Sequence, residues 1–510
     1  MKIETSHPSS AGQSSCFVNS RSRVRFPWVA QRFSSGGSSP IDGSNITGAL
    51  RDFVNSRSRL LAPLASSPLG GSCICVTFAE SLDLQTIKEI ESVKLSHLSE
   101  TLIGSEIVKL GGEIREKIRQ GEKIYNFTVG DFDPSIFPIP KELEDLIVDS
   151  YRKHFTNYPA AEGNLDLRES ISQFMRERES LDYKSSEILV AAGGRPLIYS
   201  LFRAICDKGD KVIYAVPSWN NNHYAHFVSG EHVVVEAKVE NNFMPTANEI
   251  RPYIKGATLL SLCSPQNPTG TTMSEDQLEE ICDMVIEENA SRGDREKKLF
   301  VMYDQMYWHL TYGTIKHYNP VSIRSEMRQY TIFIDAISKV FAATGVRVGW
   351  SMGPETIINK MRAILGHVGA WAPMAEQKAV AKFLPQHDAI DRFLSNFRKE
   401  IEERLRTIYE GFIELKKAGF AVDAITPQAA IYLTIKLDLA GKTTSDGRLL
   451  ETQSDVTAYI LNEAKLAVVP FYAFGASRNS PWYRLSVGTC RKEEIGEMFL
   501  KLKMALQPLY

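Results

Sequence analysis

The chain lacks the features that would tie it to a charged polymer or a membrane. Its 59 lysines and arginines nearly balance 61 aspartates and glutamates, for a formal net charge of -2. That balance leaves no electrostatic footprint for nucleic acid or an anionic lipid surface. No apolar run approaches the ~18–20 residues that span a bilayer. The longest, KLFVMYD and TLLSLCSP, have the length of buried strands. Cysteine is scarce: seven residues, an odd number, with Cys206, Cys263, Cys282 and Cys490 standing singly and only Cys73 and Cys75 close together. Such scatter has neither metal-ligand spacing nor a disulfide framework, and it fits a reducing compartment. We therefore expect a cytoplasmic protein with no metal site.

Acidic residues are nearly missing from the first 82 positions, where only Glu4, Asp42, Asp52 and Glu80 occur among many Ser, Gly and Arg. FVNSRSR appears twice there, at 17–23 and 53–59, without any core pattern. A segment of this kind cannot bury enough apolar surface to offset its ordering entropy. Residues 1–90 are thus expected to be a disordered leader. It is either an Arg- and Ser-rich targeting segment, which would place the protein in an organelle, or an extension without a folded role.

Beyond residue 90 the chain is patterned. Residues 91–145 read as an N-terminal helix and a Gly/Pro loop (NFTVGDFDPSIFPIP) packing with a small domain. Residues 146–385 alternate helical stretches with seven strand candidates: EILVAAG, KVIYAV, HVVVEAKV, TLLSLCSP, KLFVMYD, TIFIDAIS and VRVGWSMG. Their Val/Ile content predicts a mostly parallel seven-stranded sheet covered on both faces by helices, an α/β fold. Residues 386–510 (AAIYLTIKL, KLAVVPFYAF, WYRLSVGT and a last helix) read as a smaller α+β domain.

In an open α/β sheet, ligands bind beyond the carboxyl ends of the strands. Four strand ends carry chemistry here. AAGGRP (191–196) places two glycines at a strand-to-helix turn, either a tight turn or a cradle of backbone N–H groups for an anion. SPQNPTG (264–270) is a rigid turn, an Asx turn or a means of presenting the Asn267 amide. YDQMY ends a buried run on Asp304, with Tyr307 three residues later; the carboxylate is a helix cap or needs a buried partner. DAISKVFAATGVRVGW delivers Lys339 to a fourth strand end, with Arg347 eight residues on. Burial and a nearby cation would lower the pKa of such an amine and make it a nucleophile.

Taken together, the NPTG, D-x-x-Y and S-K-x7-R spacings resemble the class I/II aminotransferases, pyridoxal-phosphate-dependent enzymes of fold type I, most of all the bacterial aspartate aminotransferases. The resemblance covers about residues 95–508. It implies that Lys339 holds the aldehyde of pyridoxal 5'-phosphate and shuttles a proton. It implies that Asp304 pairs with the pyridine nitrogen, and that Tyr307 and Asn267 hydrogen-bond the phenolic oxygen. Trp219 would stack on the ring, with Gly194, Arg195, Ser338 and Arg347 around the phosphate. Arg484 (in WYRLSVGT), Gly130 and Asn267 would receive the substrate, and Tyr158 would reach a neighbouring subunit's phosphate in a homodimer. The expected reaction moves an amino group between an amino acid, aspartate first, and a 2-oxo acid such as 2-oxoglutarate. A lyase of the same fold and a non-catalytic cofactor-binding regulator stay as alternatives. Some positions depart from the family pattern. Arg195 replaces a small hydroxylic residue, Ala336 a Ser or Gly, and GHVGAWAP lacks Ser-Asn-Pro and carries His367. Side-chain preference is expected to rest on residues around Asp131, Phe132, Trp308 and His367.

Overall fold

All seven apolar runs in the middle of the chain are strands of one sheet. In this computed structural model, which describes residues 94–509 apart from 103 and 105, they are β1 (Ile188–Ala191), β2 (Lys211–Val216), β3 (Glu231–Glu236), β4 (Ala257–Cys263), β5 (Phe300–Asp304), β6 (Thr331–Ala336) and β7 (Gly349–Met352). Their order in the sheet is β1-β7-β6-β5-β4-β2-β3. The pairs among β2 to β6 are parallel, and β7 runs antiparallel to both its neighbours, β6 and β1. The leader expected over residues 1–90, with Cys73 and Cys75, lies outside the described residues.

The runs are apolar without alternation because both faces of the sheet are covered. Successive residues feed opposite cores: Leu260, Val301 and Phe333 enter one, Leu259, Met302 and Ile332 the other. Helices Leu165–Glu179 and Glu275–Ser291 close the first face, and Gly194–Ile205 with Glu355–Val368 the second. The helix at 275 starts where it does because Ser274 accepts from the Gln277 backbone while the Gln277 side chain accepts from the Ser274 backbone, a reciprocal cap. Only the edge strand β3 breaks the rule, with Val235 its one buried residue.

A second, smaller sheet is built from β8 (Val422–Ala424), β9 (Tyr432–Leu437), β10 (Val469–Pro470) and β11 (Trp482–Ser486), antiparallel in the order β10-β11-β9-β8. The helix Glu106–Arg119 packs beside it through Ile114 against Leu461 and Ala467. Tyr125–Asn126 pairs in parallel with Leu466–Ala467. The 31-residue helix His387–Lys417 joins the two regions. Its Ala389, Ile390 and Leu394 belong to the large core, and its Ile401, Leu405, Ile408 and Phe412 to the small one. No helix among the described residues is long and apolar enough to cross a membrane.

Candidate active site

The four punctuated strand ends converge with two loops of the smaller region. Strand β6 leads directly into the short helix Ile337–Val340, so Lys339 stands just past the strand's carboxyl end. Its Nζ donates to the Gly130 carbonyl at 2.5 Å. Burial pulls the Lys339 pKa down to about 8, against the attraction of Asp131, and the cations Arg484, Arg195 and Arg347 lower it further. About a tenth of this amine is therefore neutral near pH 7, far more than in an exposed lysine.

Asp304 closes β5 one strand away. Burial pushes its pKa up to about 6, and one hydrogen bond from the Met306 backbone, at 3.1 Å, pulls it back. Three residues on, the Tyr307 hydroxyl lies 2.6 Å from that of Tyr432 on β9. Lys339 Nζ sits 6.0 Å from the centre of the Tyr307 ring and 5.9 Å from that of Phe132.

Arg484 is only 2% exposed. One terminal nitrogen donates to Asn267 Oδ1 at 3.0 Å and the other to the Thr128 carbonyl at 2.6 Å. Its Nε is buried with no partner among the described residues. The guanidinium is held between the rings of Tyr432, 4.8 Å away, and Phe474, 4.9 Å away. A buried cation so incompletely paired is costly unless an anion completes it.

The glycine turn after β1 is shaped around Arg347. That arginine donates to the carbonyls of Thr344 at 2.6 Å and Ala192 at 2.9 Å. Gly193 has φ of +84°, which favours glycine, and a Cβ there would stand 2.3 Å from Arg347 Nη2 and push the guanidinium from its place. Gly194 then begins the helix to Ile205, leaving its first-turn N–H groups facing the cluster. Ser338 is buried beside Lys339. Arg195 places its guanidinium 5.3 Å over the Trp219 ring. Tyr158 is 82% exposed, its ring meeting that of Trp371 edge-on at 5.4 Å.

The donor set fits pyridoxal phosphate: an amine for an aldehyde, a carboxylate with spare acceptor capacity for a ring nitrogen, and N–H groups with Arg347 and Ser338 for a phosphate. Arg484 Nε is left for a second anion. Among the residues expected to govern side-chain preference, Asp131 and Phe132 do belong here. Asp131 Oδ1 accepts from Thr344 Oγ1 at 2.6 Å and from the Phe132 backbone at 2.8 Å. Trp308 does not: it is buried, stacks on His309 and donates to Asp335 Oδ2 at 2.8 Å, because the chain after Asp304 turns inward to bury its indole. His367 is exposed in the last turn of its helix. No sequence signal marks Tyr432, Thr128 or Phe474. They lie in runs that read simply as core, and only tertiary contacts reveal them.

A buried lysine past a parallel strand end, facing a carboxylate and an arginine from a second region, defines the class: the fold type I transferases. Residues 122–501 match the family described as aminotransferase class I and II, and the chain belongs to it. It is an aminotransferase. It is 29% identical over 385 residues to an aspartate aminotransferase of Bacillus sp. (strain YM-2), covering 75% of this chain and 92% of that one. It is 30% identical over 376 residues to a probable aspartate/prephenate aminotransferase of Rickettsia felis, covering 72% and 86%. Among solved structures, the aspartate aminotransferase from Rhizobium meliloti superposes with a TM-score of 0.75 at 25% identity, over 82% of this chain and all of that one.

Proposed function

We propose that this chain is a pyridoxal-phosphate-dependent aminotransferase, acting as a cytoplasmic homodimer, that exchanges the amino group of aspartate with a 2-oxo acid such as 2-oxoglutarate. The observation that carries the reading is Gly130, which joins the amine to the carboxylate receptor. Its carbonyl accepts from Lys339, and a Cβ on it would lie 3.6 Å from Arg484 Nη1. An α-amino acid bound through its carboxylate at Arg484 thus presents its α-carbon to Lys339.

Pyridoxal phosphate supplies an aldehyde and an electron-withdrawing ring, which acidifies the α-proton of a bound amino acid. The protein supplies the rest. Lys339, neutral when its proton is given up, moves the α-proton. Asp304 holds a proton on the ring nitrogen. Tyr307 and Asn267 bond the phenolic oxygen, and Trp219 covers a ring face. Gly194, Arg195, Ser338 and Arg347 hold the phosphate, which Tyr158 of a second copy also reaches. With Arg195 and Arg347 given to the phosphate and Arg484 to the α-carboxylate, the preference for aspartate rests on the relatives, several of which are aspartate aminotransferases.

Half-reaction spectroscopy tests the reading. The loaded enzyme is expected to lose its visible band on adding aspartate and regain it with 2-oxoglutarate, while Lys339→Ala does neither. Ammonia release without any need for an oxo acid would make it a lyase instead.

A further inference from the structure

Resting on the aminotransferase reading, we propose that Tyr432 is a positioning residue for Tyr307: it donates its hydroxyl hydrogen to Tyr307 Oη, so that the hydrogen of Tyr307 points to the phenolic oxygen of the cofactor.

Tyr432 meets four parts of the site. Its hydroxyl lies 2.6 Å from that of Tyr307. Its ring is covered by the Arg484 guanidinium at 4.8 Å. A Cβ on Gly130 would stand 2.8 Å from its hydroxyl, so the loop that accepts from Lys339 is closed against it. Its carbonyl presses on Gly270 of the NPTG turn, where φ is +70° and a Cβ would stand 2.1 Å from that oxygen. The residue is 1% exposed, so the hydroxyl pair is shielded from bulk solvent.

Between two phenols sharing one hydrogen bond, the stronger acid donates. Burial raises both hydroxyls, and the Arg484 guanidinium, 4.8 Å over the ring of Tyr432, favours Tyr432 as the stronger acid. Tyr432 is accordingly the donor. Tyr307 Oη, its acceptor side occupied, has its own hydrogen directed elsewhere, toward the space between Asp304 and Lys339. A phenolic oxygen in that space gains a donor of fixed direction, and its ionised form is favoured.

The test reads the midpoint of the pH-dependent change in visible absorption of the holoenzyme. Tyr432→Phe keeps the ring and its contact with Arg484 and removes only the hydroxyl. We expect it to raise the midpoint by about half to one pH unit, and Tyr307→Phe to raise it more. In the Tyr307→Phe background, Tyr432→Phe should add nothing, because it acts through Tyr307. Gly130→Ala, which displaces the hydroxyl without deleting it, should raise the midpoint too, and this effect should vanish beside Tyr432→Phe. An unchanged midpoint in Tyr432→Phe, or a shift of equal size with and without Tyr307, overturns the assignment. A wild type that binds pyridoxal phosphate with no pH-dependent band overturns the aminotransferase reading itself, and with it this one.

Discussion

Asp304 is the residue whose behaviour differs most with and without a partner. Its folded pKa of about 6 lies above its ordinary 3.8, so the folded protein keeps a proton that the unfolded chain has lost. Stability contributed by this group is therefore present below pH 3.8 and is lost as pH rises to 6, a cost of about 3 kcal/mol. A protonated ring nitrogen beside the carboxylate reverses the balance, since an opposite charge favours the ionised form. Affinity for pyridoxal phosphate should then strengthen as pH rises from 5 to 7. Fluorescence titration in a Lys339→Ala background, which removes the titrating amine, should show this trend, and adding Asp304→Asn should flatten it. A trend that survives Asp304→Asn would mean that another group carries it.

At the scale of elements, the end of the helix Leu165–Glu179 is fastened inside by Glu179. Its carboxylate lies 3.5 Å from His317 Nε2 and accepts from Asn319 at 3.3 Å. Burial pushes Glu179 up to about 8 and His317 down to about 3, favouring the neutral form of each. The signs oppose each other. For Glu179, stability falls as pH rises from 4.5 to 8; for His317, it rises from 3 to 6.5. Glu179→Gln should thus be nearly silent at pH 5 and stabilising at pH 8.5, by about 5 kcal/mol as an upper bound. Denaturant midpoints at the two pH values check it, and an equal effect at both would refute it. None of this pair is visible in the sequence, where Glu179 ends a charged stretch, RERES, that reads as solvated. The seven strands are visible, because burial on both faces leaves a continuous apolar run. The four strand-end motifs are visible because turn chemistry is local. Tyr432 and Trp308 escape such a reading for the opposite reason: one sits in a strand among apolar neighbours and the other in a loop, and only tertiary contacts decide which faces the site.

For the whole molecule, exposed apolar side chains set the expectation. Tyr158 is 82% exposed, with Tyr151 at 50%, Leu165 at 54% and Val368 at 56%. Exposed apolar side chains such as these suit a second copy of the chain. Sedimentation velocity should find a dimer, and Leu165→Asp should shift it toward monomer with loss of most of the activity. A fully active monomer would remove Tyr158 from the site.

The long helix His387–Lys417 has a mechanical consequence. At about 1.5 Å per residue it is some 46 Å from end to end, embedded at its start in one core and for the rest of its length in the other. The change from one core to the other falls just after Leu394. A bend of roughly 5° there sweeps the far end by about 3 Å, the reach of one hydrogen bond. Such a bend would be felt at the hydrogen bond of 3.0 Å from Arg484 to Asn267, which ties the smaller region to the larger.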